Sequence, residues 1–346
     1  MLAHLLMTSL AALRPHCSLD RRTLLAGAAV GSSSICSPSQ AAHALARASP
    51  TRATGVIAGG SLPLTVGLGT CLVSPNDVSR TVALGTQSGY RVFDTAQRYG
   101  NEAGVGKAIK QASADGILKR EECFVTTKVW NDNMGYKETI ASVKNSARSL
   151  DLGVIDLVLI HWPGRFIKRD GGTNDAINTK LRRETWEALE TLKRDGVVAQ
   201  IGVSNFGERH LRELEAYAMS RPAVNQFEVH PYNTRDRLVD YCAKEGILVN
   251  SYCPIGGKGN KKQSTDELLK DPKLVEIAAA HGKTPVQTIL RWHLQRGLTP
   301  VPKASSREHI CENIDVYDFE LARAEMVAIS GLNQDRFTLF DADALA

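Results

Sequence analysis

The chain has 346 residues, 43% of them hydrophobic, and a formal net charge of +5. This length is enough for one large hydrophobic core, and length alone allows one or two domains. The charge is mild, and no run dense in Lys and Arg is interleaved with aromatic residues, which argues against nucleic-acid binding. The seven cysteines are scattered without a Cys-x-x-Cys pair, so we expect neither a disulfide framework nor a metal site.

The first 46 residues differ in composition from the rest. Asp20 is their only acidic residue, and three arginines are their only basic residues. Arg21-Arg22 precede a short apolar stretch at 24–30, and small residues near 42–46 offer a cleavage site. This pattern predicts an export signal of the twin-arginine type behind a transit leader at 1–17. The apolar stretch is too short to cross a bilayer.

The predicted domain division follows from this composition. Residues 1–46 are expected to form the targeting segment, and residues 47–346 a barrel domain. A leader ahead of an export signal favours a plastid destination, with the thylakoid lumen as its most specific form. A bacterial-type periplasm, a mitochondrion and the cytosol stay open, as does a merely Ala/Ser-rich tail. No other stretch of the sequence predicts membrane insertion.

After residue 54, short apolar runs alternate with longer amphipathic stretches. The apolar runs are typical of buried parallel strands. They are Thr65–Gly69, Arg91–Asp94, Cys123–Thr127, Ile155–Ile160, Gln200–Ser204, Ala223–Phe227, Leu248–Tyr252 and Leu298–Pro302. The predicted helices are Val78–Ser88, Gly104–Ala112, Lys137–Leu150, Lys180–Lys193, Glu208–Ser220, Asp236–Lys244, Pro272–His281, Pro285–Gln295, Ser306–Asp315 and Leu321–Ile329. This alternation predicts a single-domain α/β fold, a (β/α)8 TIM barrel, with an N-terminal hairpin turning near 59–61.

Two connections are longer than the others, Trp162–Asn178 and Pro254–Asp271. Both follow strand ends on the face where barrel enzymes build their sites, which predicts a substrate loop and a cofactor lid. Glycines and lysines at 256–262 suit a hinged lid, although a solvated loop would have the same composition.

Four titratable residues lie at or just after three neighbouring strand ends: Asp94, Tyr99, Lys128 and His161. The carboxyl ends of barrel strands share one mouth, so we expect these side chains to converge. Carbonyl reduction needs a proton delivered to the oxygen, and Tyr99 is the candidate donor. A nearby Lys128 ammonium would lower the pKa of Tyr99 toward neutrality, with Asp94 holding Lys128. His161 would donate a hydrogen bond to the carbonyl oxygen.

Longer motifs extend this pattern through the chain. They are Gly89–Glu102, Thr127–Trp130, Asp156–Pro163, Ile201–Phe206, Val224–Glu228 and Pro302–Ser305, followed by Glu312-Asn313. In order and spacing they resemble the aldo-keto reductase family over residues 55–340. No Gly-x-Gly-x-x-Gly follows the first strand, which disfavours a Rossmann dehydrogenase.

The resemblance implies a role for each matching residue. The catalytic tetrad would be Asp94, Tyr99, Lys128 and His161. The cofactor contacts would be Gly69, Thr70, Ser204, Asn205, Gln226, Tyr252, Pro254, Ile255, Lys303, Ser305, Ser306, Glu312 and Asn313. Of these, Ser204, Asn205 and Gln226 would hold the nicotinamide carboxamide. Tyr252 would stack on the nicotinamide ring. Lys303, Ser305 and Ser306 would meet the 2′-phosphate, and Glu312 and Asn313 the adenine. The substrate would contact Trp130 and Trp162 beside Tyr99 and His161.

The implied function is an NADPH-dependent oxidoreductase that reduces aldehydes and ketones to alcohols, with Tyr99 as general acid. NADH is the alternative cofactor, and the substrate class stays open among small aldehydes, dicarbonyls and sugar-type ketones. We expect a monomer whose partner is a small carbonyl compound. A cofactor-bound redox sensor with little turnover, a structural protein and a dehydrogenase working in the oxidative direction are the alternatives. Cys71 stands where many family members carry Trp, which would open the pocket near the nicotinamide.

Overall fold

The computed structural model describes residues 54–57, 60–165, 175–257, 265–339 and 341. The targeting segment predicted at 1–46 lies outside these residues. So do 166–174 of the predicted substrate loop and 258–264 of the predicted lid. In the described part of the chain, no helix combines the length and apolar character needed to cross a bilayer.

The described elements alternate as the sequence predicts. The strands are β1 (Thr54–Ile57), β2 (Gly60–Pro63), β3 (Leu68–Gly69), β4 (Val92–Asp94), β5 (Phe124–Val129), β6 (Ile155–Ile160), β7 (Val198–Ser204), β8 (Val224–Glu228), β9 (Leu248–Tyr252) and β10 (Thr299–Pro300). The helices are α1 (Val78–Gln87), α2 (Glu102–Ala114), α3 (Tyr136–Leu150), α4 (Asp175–Arg194), α5 (Glu208–Glu215), α6 (Asp236–Lys244), α7 (Thr265–Leu269), α8 (Pro272–Ala280), α9 (Pro285–Gln295), α10 (Arg307–Ile314) and α11 (Arg323–Ser330).

Strands β3 to β10 form one parallel sheet of eight strands in chain order, and β1 pairs with β2 as an antiparallel hairpin. The sheet closes on itself where β3 meets the segment after β10. Gly67 N donates to Pro300 O at 2.8 Å, and Gly69 N donates to Pro302 O at 3.0 Å. The predicted (β/α)8 barrel and its hairpin are therefore confirmed.

Glycine is required where the barrel closes. A Cβ on Gly69 would lie 2.8 Å from the carbonyl oxygen of Val301, and a Cβ on Gly67 would lie 2.8 Å from Val301 Cγ1. Both distances are too short for real carbon contacts, so larger residues would push the two segments apart. Pro300 and Pro302 have no N–H to donate, which shortens β10 while leaving their carbonyls as acceptors.

Most residues of strands β3 to β10 are buried, as expected for a barrel surrounded by helices. On β6, Val158 and Ile160 belong to the large core shared with the helices, whereas Leu157 and Leu159 pack in a second cluster with Val224. Lys128 pairs with Leu159 across β5 and β6, so its side chain shares the face of this inner cluster. The inward face of the strands thus leads directly to the predicted catalytic lysine.

Element boundaries differ from the predictions at a few positions. Helix α4 begins at Asp175, ahead of the predicted Lys180, and the short helix α7 interrupts the connection predicted as irregular. Helix α5 ends at Glu215, before the predicted Ser220. The chain turns there, with Tyr217 N and Ala218 N donating to Leu214 O at 3.1 Å and 2.9 Å.

Candidate active site

Three neighbouring strands bring the predicted tetrad to one end of the barrel. Asp94 ends β4, Lys128 lies near the end of β5, and His161 directly follows β6. The backbone N–H of His161 donates to Val129 O at 3.1 Å. Tyr99 lies in a short 3-10 helix, Gln97–Tyr99, just beyond β4. The parallel register therefore converts three separate strand ends into one cluster, as the sequence predicts.

The centre of this cluster is a buried ion pair. Lys128 Nζ donates to Asp94 Oδ1 at 2.6 Å and to Thr95 O at 3.0 Å. The two charged side chains are 1% and 6% exposed, so each depends on the other for its counter-charge. The second carboxylate oxygen of Asp94 accepts a hydrogen bond from Gln226 Nε2 at 2.7 Å. Asp94 is thus fixed from two sides.

Tyr99 lies beside this pair, with Lys128 Nζ 5.2 Å from the centre of its ring. Burial raises the pKa of Tyr99 well above its usual value near 10, and the Asp94 carboxylate and the Cys71 thiol raise it further. The expectation that Lys128 lowers this pKa toward neutrality is therefore wrong. The physical reason is that burial disfavours the charged phenolate, and the Asp94 carboxylate beside Lys128 adds to this effect. Tyr99 consequently keeps its proton at neutral pH.

His161 is enclosed by three aromatic rings. Its ring stands edge-on to Trp130 at 5.2 Å and to Tyr99 at 5.9 Å between centroids, and it stacks on Trp162 at 6.3 Å. Burial lowers the pKa of His161 well below 6.5, and the Lys128 cation lowers it further. The imidazole is therefore neutral near pH 7 and carries one N–H. Within the described residues its Nδ1 has no hydrogen-bond partner.

Trp130 and Trp162 pack against each other beside His161, where the sequence places the substrate walls. Gln97 fixes the first of them, a role that the sequence reasoning missed. Gln97 Oε1 accepts from Trp130 N at 3.0 Å and from Asn133 Nδ2 at 2.8 Å. Gln97 is a polar residue two positions before Tyr99 in the Gly89–Glu102 motif, and that position is the signal that could have identified its role.

The loop after β6 is attached to the loop after β5 by a second set of bonds. Asn131 Nδ2 donates to Gly164 O at 2.6 Å. The Arg165 guanidinium donates to the carbonyls of Asn131, Asp132 and Met134 at 2.9 to 3.1 Å. These bonds join the backbones on either side of the two tryptophans, so the walls are set by the fold.

The residues predicted to hold the nicotinamide carboxamide form a connected polar group at the ends of β7 to β9. Ser204 Oγ donates to Gln226 O at 2.8 Å, and Asn205 Nδ2 donates to Ser204 Oγ at 3.1 Å and to His161 O at 3.0 Å. Tyr252, predicted to stack on the nicotinamide, donates its hydroxyl to Asn205 Oδ1 at 2.7 Å. Asn205 has a left-handed backbone with φ 64°, which turns its amide toward this network.

The opposite rim is formed by the segment after β3. Gly69 pairs with Asp94 in the sheet, and the buried Thr70 hydroxyl donates to Asp94 O at 2.9 Å. Asn101 Nδ2 donates to Thr70 O at 3.0 Å and so joins this rim to the Tyr99 segment. Cys71 is exposed and borders Tyr99.

The predicted phosphate and adenine contacts surround the start of α10. Lys303 Nζ donates to Ser305 Oγ at 3.3 Å, and Ser306 caps the helix by accepting from His309 N. Glu312 accepts from the Thr284 hydroxyl at 2.7 Å, so its carboxylate already has a partner, and Asn313 is buried. Among the described residues, neither Lys303 nor the exposed Arg307 is in an ion pair with a carboxylate.

Two further predicted cofactor contacts follow β9. Pro254 is buried and Ile255 is half-buried, just before the part of the lid that lies outside the described residues. Over the described ranges, no group of three or more His, Cys, Asp and Glu side chains could hold a metal ion.

The family model described as the Aldo/keto reductase family matches residues 64–334. The chain belongs to this family. It is 40% identical over 260 residues to glyoxal reductase of Bacillus subtilis (strain 168), covering 75% of this chain and 85% of that protein. It is 36% identical over 286 residues to Aldo-keto reductase family 1 member A1 of Cricetulus griseus, covering 80% and 88%.

Solved structures agree with this assignment. An aldo-keto reductase of Bombyx mori in complex with NADP is similar to the chain at 34% identity with a TM-score of 0.73, covering 82% of this chain and 94% of that one. An aldo/keto reductase from Brucella melitensis is similar at 35% identity and a TM-score of 0.72, covering 82% and 98%. As an aldo-keto reductase, the protein is an oxidoreductase of the carbonyl-reducing class.

Proposed function

We propose that the protein reduces aldehydes or ketones to alcohols with NADPH and that Tyr99 is the proton donor. The observation that supports this most strongly is the set of contacts around Tyr99. A neutral imidazole, His161, lies beside a phenol that keeps its proton, and a buried Lys128–Asp94 pair borders both. An alkoxide is a much stronger base than a phenolate, so proton transfer from Tyr99 stays favourable even though its raised pKa makes it a weaker acid than a free phenol.

The chain's own groups divide the work at the carbonyl oxygen. His161 donates a hydrogen bond that orients the oxygen, and the enclosing rings exclude water from it. Tyr99 transfers its proton to the same oxygen as negative charge develops there. Lys128, held by Asp94, then stabilises the phenolate that remains. When bound, NADPH supplies the hydride that adds to the carbonyl carbon.

The residues present fit NADPH. Ser204, Asn205 and Gln226 offer hydroxyl and amide groups that match a carboxamide, at the mouth where the tetrad lies. Lys303 and Arg307 are exposed cations without a described carboxylate partner, which suits a phosphate monoester. Exchanging NADPH for NADH tests this assignment. Lys303→Met should raise KM for NADPH about 10-fold and leave KM for NADH little changed.

The substrate is a small carbonyl compound that fits beside Trp130 and Trp162, and the site can catalyse the reaction in either direction.

Residues 1–46 are proposed to be a removable targeting segment ahead of the 47–346 enzyme domain, with a plastid as the favoured destination. Import of a fluorescent fusion of residues 1–46 into isolated chloroplasts tests that proposal. A fusion left outside the organelle and uncleaved would contradict it.

The proposed activity is tested by incubating the full chain with NADPH and a panel of aldehydes, dicarbonyls and sugars. The expected result is consumption of NADPH with formation of an equal amount of the alcohol. Tight NADPH binding with negligible turnover on every carbonyl would contradict the proposal and favour the cofactor-bound redox sensor. Turnover confined to alcohols with NADP+ would instead identify a dehydrogenase that works in the oxidative direction.

A further inference from the structure

Arg98 lies between the proton donor and the substrate wall, and no step above uses it. It belongs to the same 3-10 helix as Tyr99 and precedes it directly. Its side chain is exposed, and its guanidinium carbon lies 5.2 Å from the centre of the Trp130 ring. Trp130 in turn stands 5.2 Å from the ring of His161. A single aromatic side chain therefore separates this cation from the group that orients the carbonyl.

The charge of Arg98 is not compensated by the described part of the chain. No described carboxylate lies within ion-pair distance of it. Asp132 lies two residues after Trp130 and forms no described ion pair with Arg98. The Arg165 guanidinium donates to backbone carbonyls. Lys128 is neutralised by Asp94. Among the described side chains beside Trp130, the two arginines Arg98 and Arg165 therefore outnumber the one carboxylate, Asp132.

The ring of Trp130 also orients Arg98. A guanidinium held against an aromatic face is attracted by the ring quadrupole, and its N–H donors at the edge stay available. Trp130 is itself fixed by Gln97, which accepts its backbone N–H at 3.0 Å. The contact with the ring thus restricts the guanidinium before an anion binds, which reduces the entropy lost on binding.

The geometry points to Arg98 as a specificity residue for carbonyl substrates that carry a carboxylate away from the reacting carbon. The guanidinium edge matches a carboxylate in a bidentate pair, with the carbonyl directed toward His161 and Tyr99. This inference rests on the proposed reductase activity and names one substrate class for it.

A matched pair of substrates isolates the charge. 4-Carboxybenzaldehyde and its methyl ester share the aldehyde and the ring, and only the acid is charged at neutral pH. The full chain is assayed with saturating NADPH, and the ratio of kcat/KM for the acid to kcat/KM for the ester is the readout. The ratio cancels any effect of a variant on cofactor binding or on the proton transfer itself.

Arg98→Met should lower the ratio about 3- to 10-fold, since an exposed but oriented charge pair contributes only modestly to the binding of the acid. Arg98→Lys should keep part of the preference for the acid, because it keeps the positive charge but loses the planar guanidinium that forms a bidentate pair. Arg194→Met is the control. This exposed arginine ends α4, just before β7 begins, so it lies at the opposite end of the barrel.

Raising salt from about 0.01 M to about 1 M should also lower the wild-type ratio, because the Debye length falls from about 30 Å to about 3 Å.

The outcomes separate the inference from the function on which it rests. A ratio that is unchanged in Arg98→Met would overturn the inference while leaving the reductase activity in place. An equal loss on both substrates would also overturn it, since Arg98 would then act only by packing on Trp130. If wild type oxidises no NADPH with either aldehyde or any other carbonyl, the proposed function fails first and the inference falls with it.

Discussion

Lys128 Nζ and Asp94 Oδ1 lie 2.6 Å apart at the base of the site, and both side chains are almost completely withdrawn from solvent. This pairing determines the electrostatics of the cluster above it. It holds a full positive charge beside the Tyr99 ring, and the carboxylate offsets that charge before a reaction begins. The site therefore keeps the tyrosine protonated and retains a cation that can stabilise the phenolate once the proton has left.

Replacing Asp94 with Asn should destabilise the fold as well as the site. The substitution leaves the Lys128 ammonium buried without its counter-charge, and breaking a buried pair in this way costs about 3 kcal/mol. Urea denaturation of the full chain measures the change in the free energy of unfolding.

The control for this experiment is Asp151→Asn, which removes the carboxylate of the exposed Lys110–Asp151 pair. Its effect should be much smaller, because exposed pairs contribute little. Equal destabilisation by the two substitutions would contradict the importance assigned to the buried pair.

The pH dependence of reduction follows from the two shifted groups. Burial raises the pKa of Tyr99 above 10, so the donor stays protonated through neutral and mildly alkaline pH. Burial lowers the pKa of His161 below 6.5, so the imidazole becomes charged only at acidic pH. With saturating NADPH, kcat/KM for a neutral aldehyde should therefore be flat from about pH 6.5 to about pH 10. A fall in rate with a midpoint near pH 8 would mean that Lys128 does lower the pKa of Tyr99.

Gln97 is expected to act by positioning the wall of the pocket. Gln97→Ala removes the acceptor of Trp130 N and Asn133 Nδ2, so the loop after β5 should loosen. We expect KM for aromatic aldehydes to rise about 5-fold, as for the loss of one or two hydrogen bonds, with a smaller change in kcat. Gln97→Glu keeps an oxygen that can accept both bonds and loses only the donor to Ser146 Oγ, so it should recover most of the affinity.

Gln111→Ala is the matched control for this prediction, because that glutamine is exposed on α2 and bonds only to Asp115 in the described structure. A Gln97→Ala enzyme whose KM values match those of the control would rule out the positioning role.

Much of the site could be predicted because barrel topology converts sequence position into spatial position. Three of the site residues each lie at the end of an apolar run: Asp94, Lys128 and His161. Parallel pairing brings such strand ends together, independent of the conformation of the loops. The closure of the barrel at Gly69 was also within reach, since the first and last strands must pair in a closed sheet.

Other features depend on contacts that no local pattern encodes. The raised pKa of Tyr99 follows from its burial and from the Asp94 carboxylate beside Lys128, neither of which the spacing of the motifs reveals. The partners of Gln97 come from a different loop, and Glu312 bonds to Thr284 across two helices.

Single-turnover hydride transfer by the wild-type chain and by Tyr99→Phe tests whether Tyr99 donates the proton. Phenylalanine keeps the ring beside His161 and Lys128 and lacks the transferable proton. NADPH binding, measured by fluorescence titration, should be little changed in the variant, while the transfer rate should fall at least about 100-fold. A variant that binds NADPH normally and retains most of the wild-type transfer rate would contradict the assignment of Tyr99 as the proton donor.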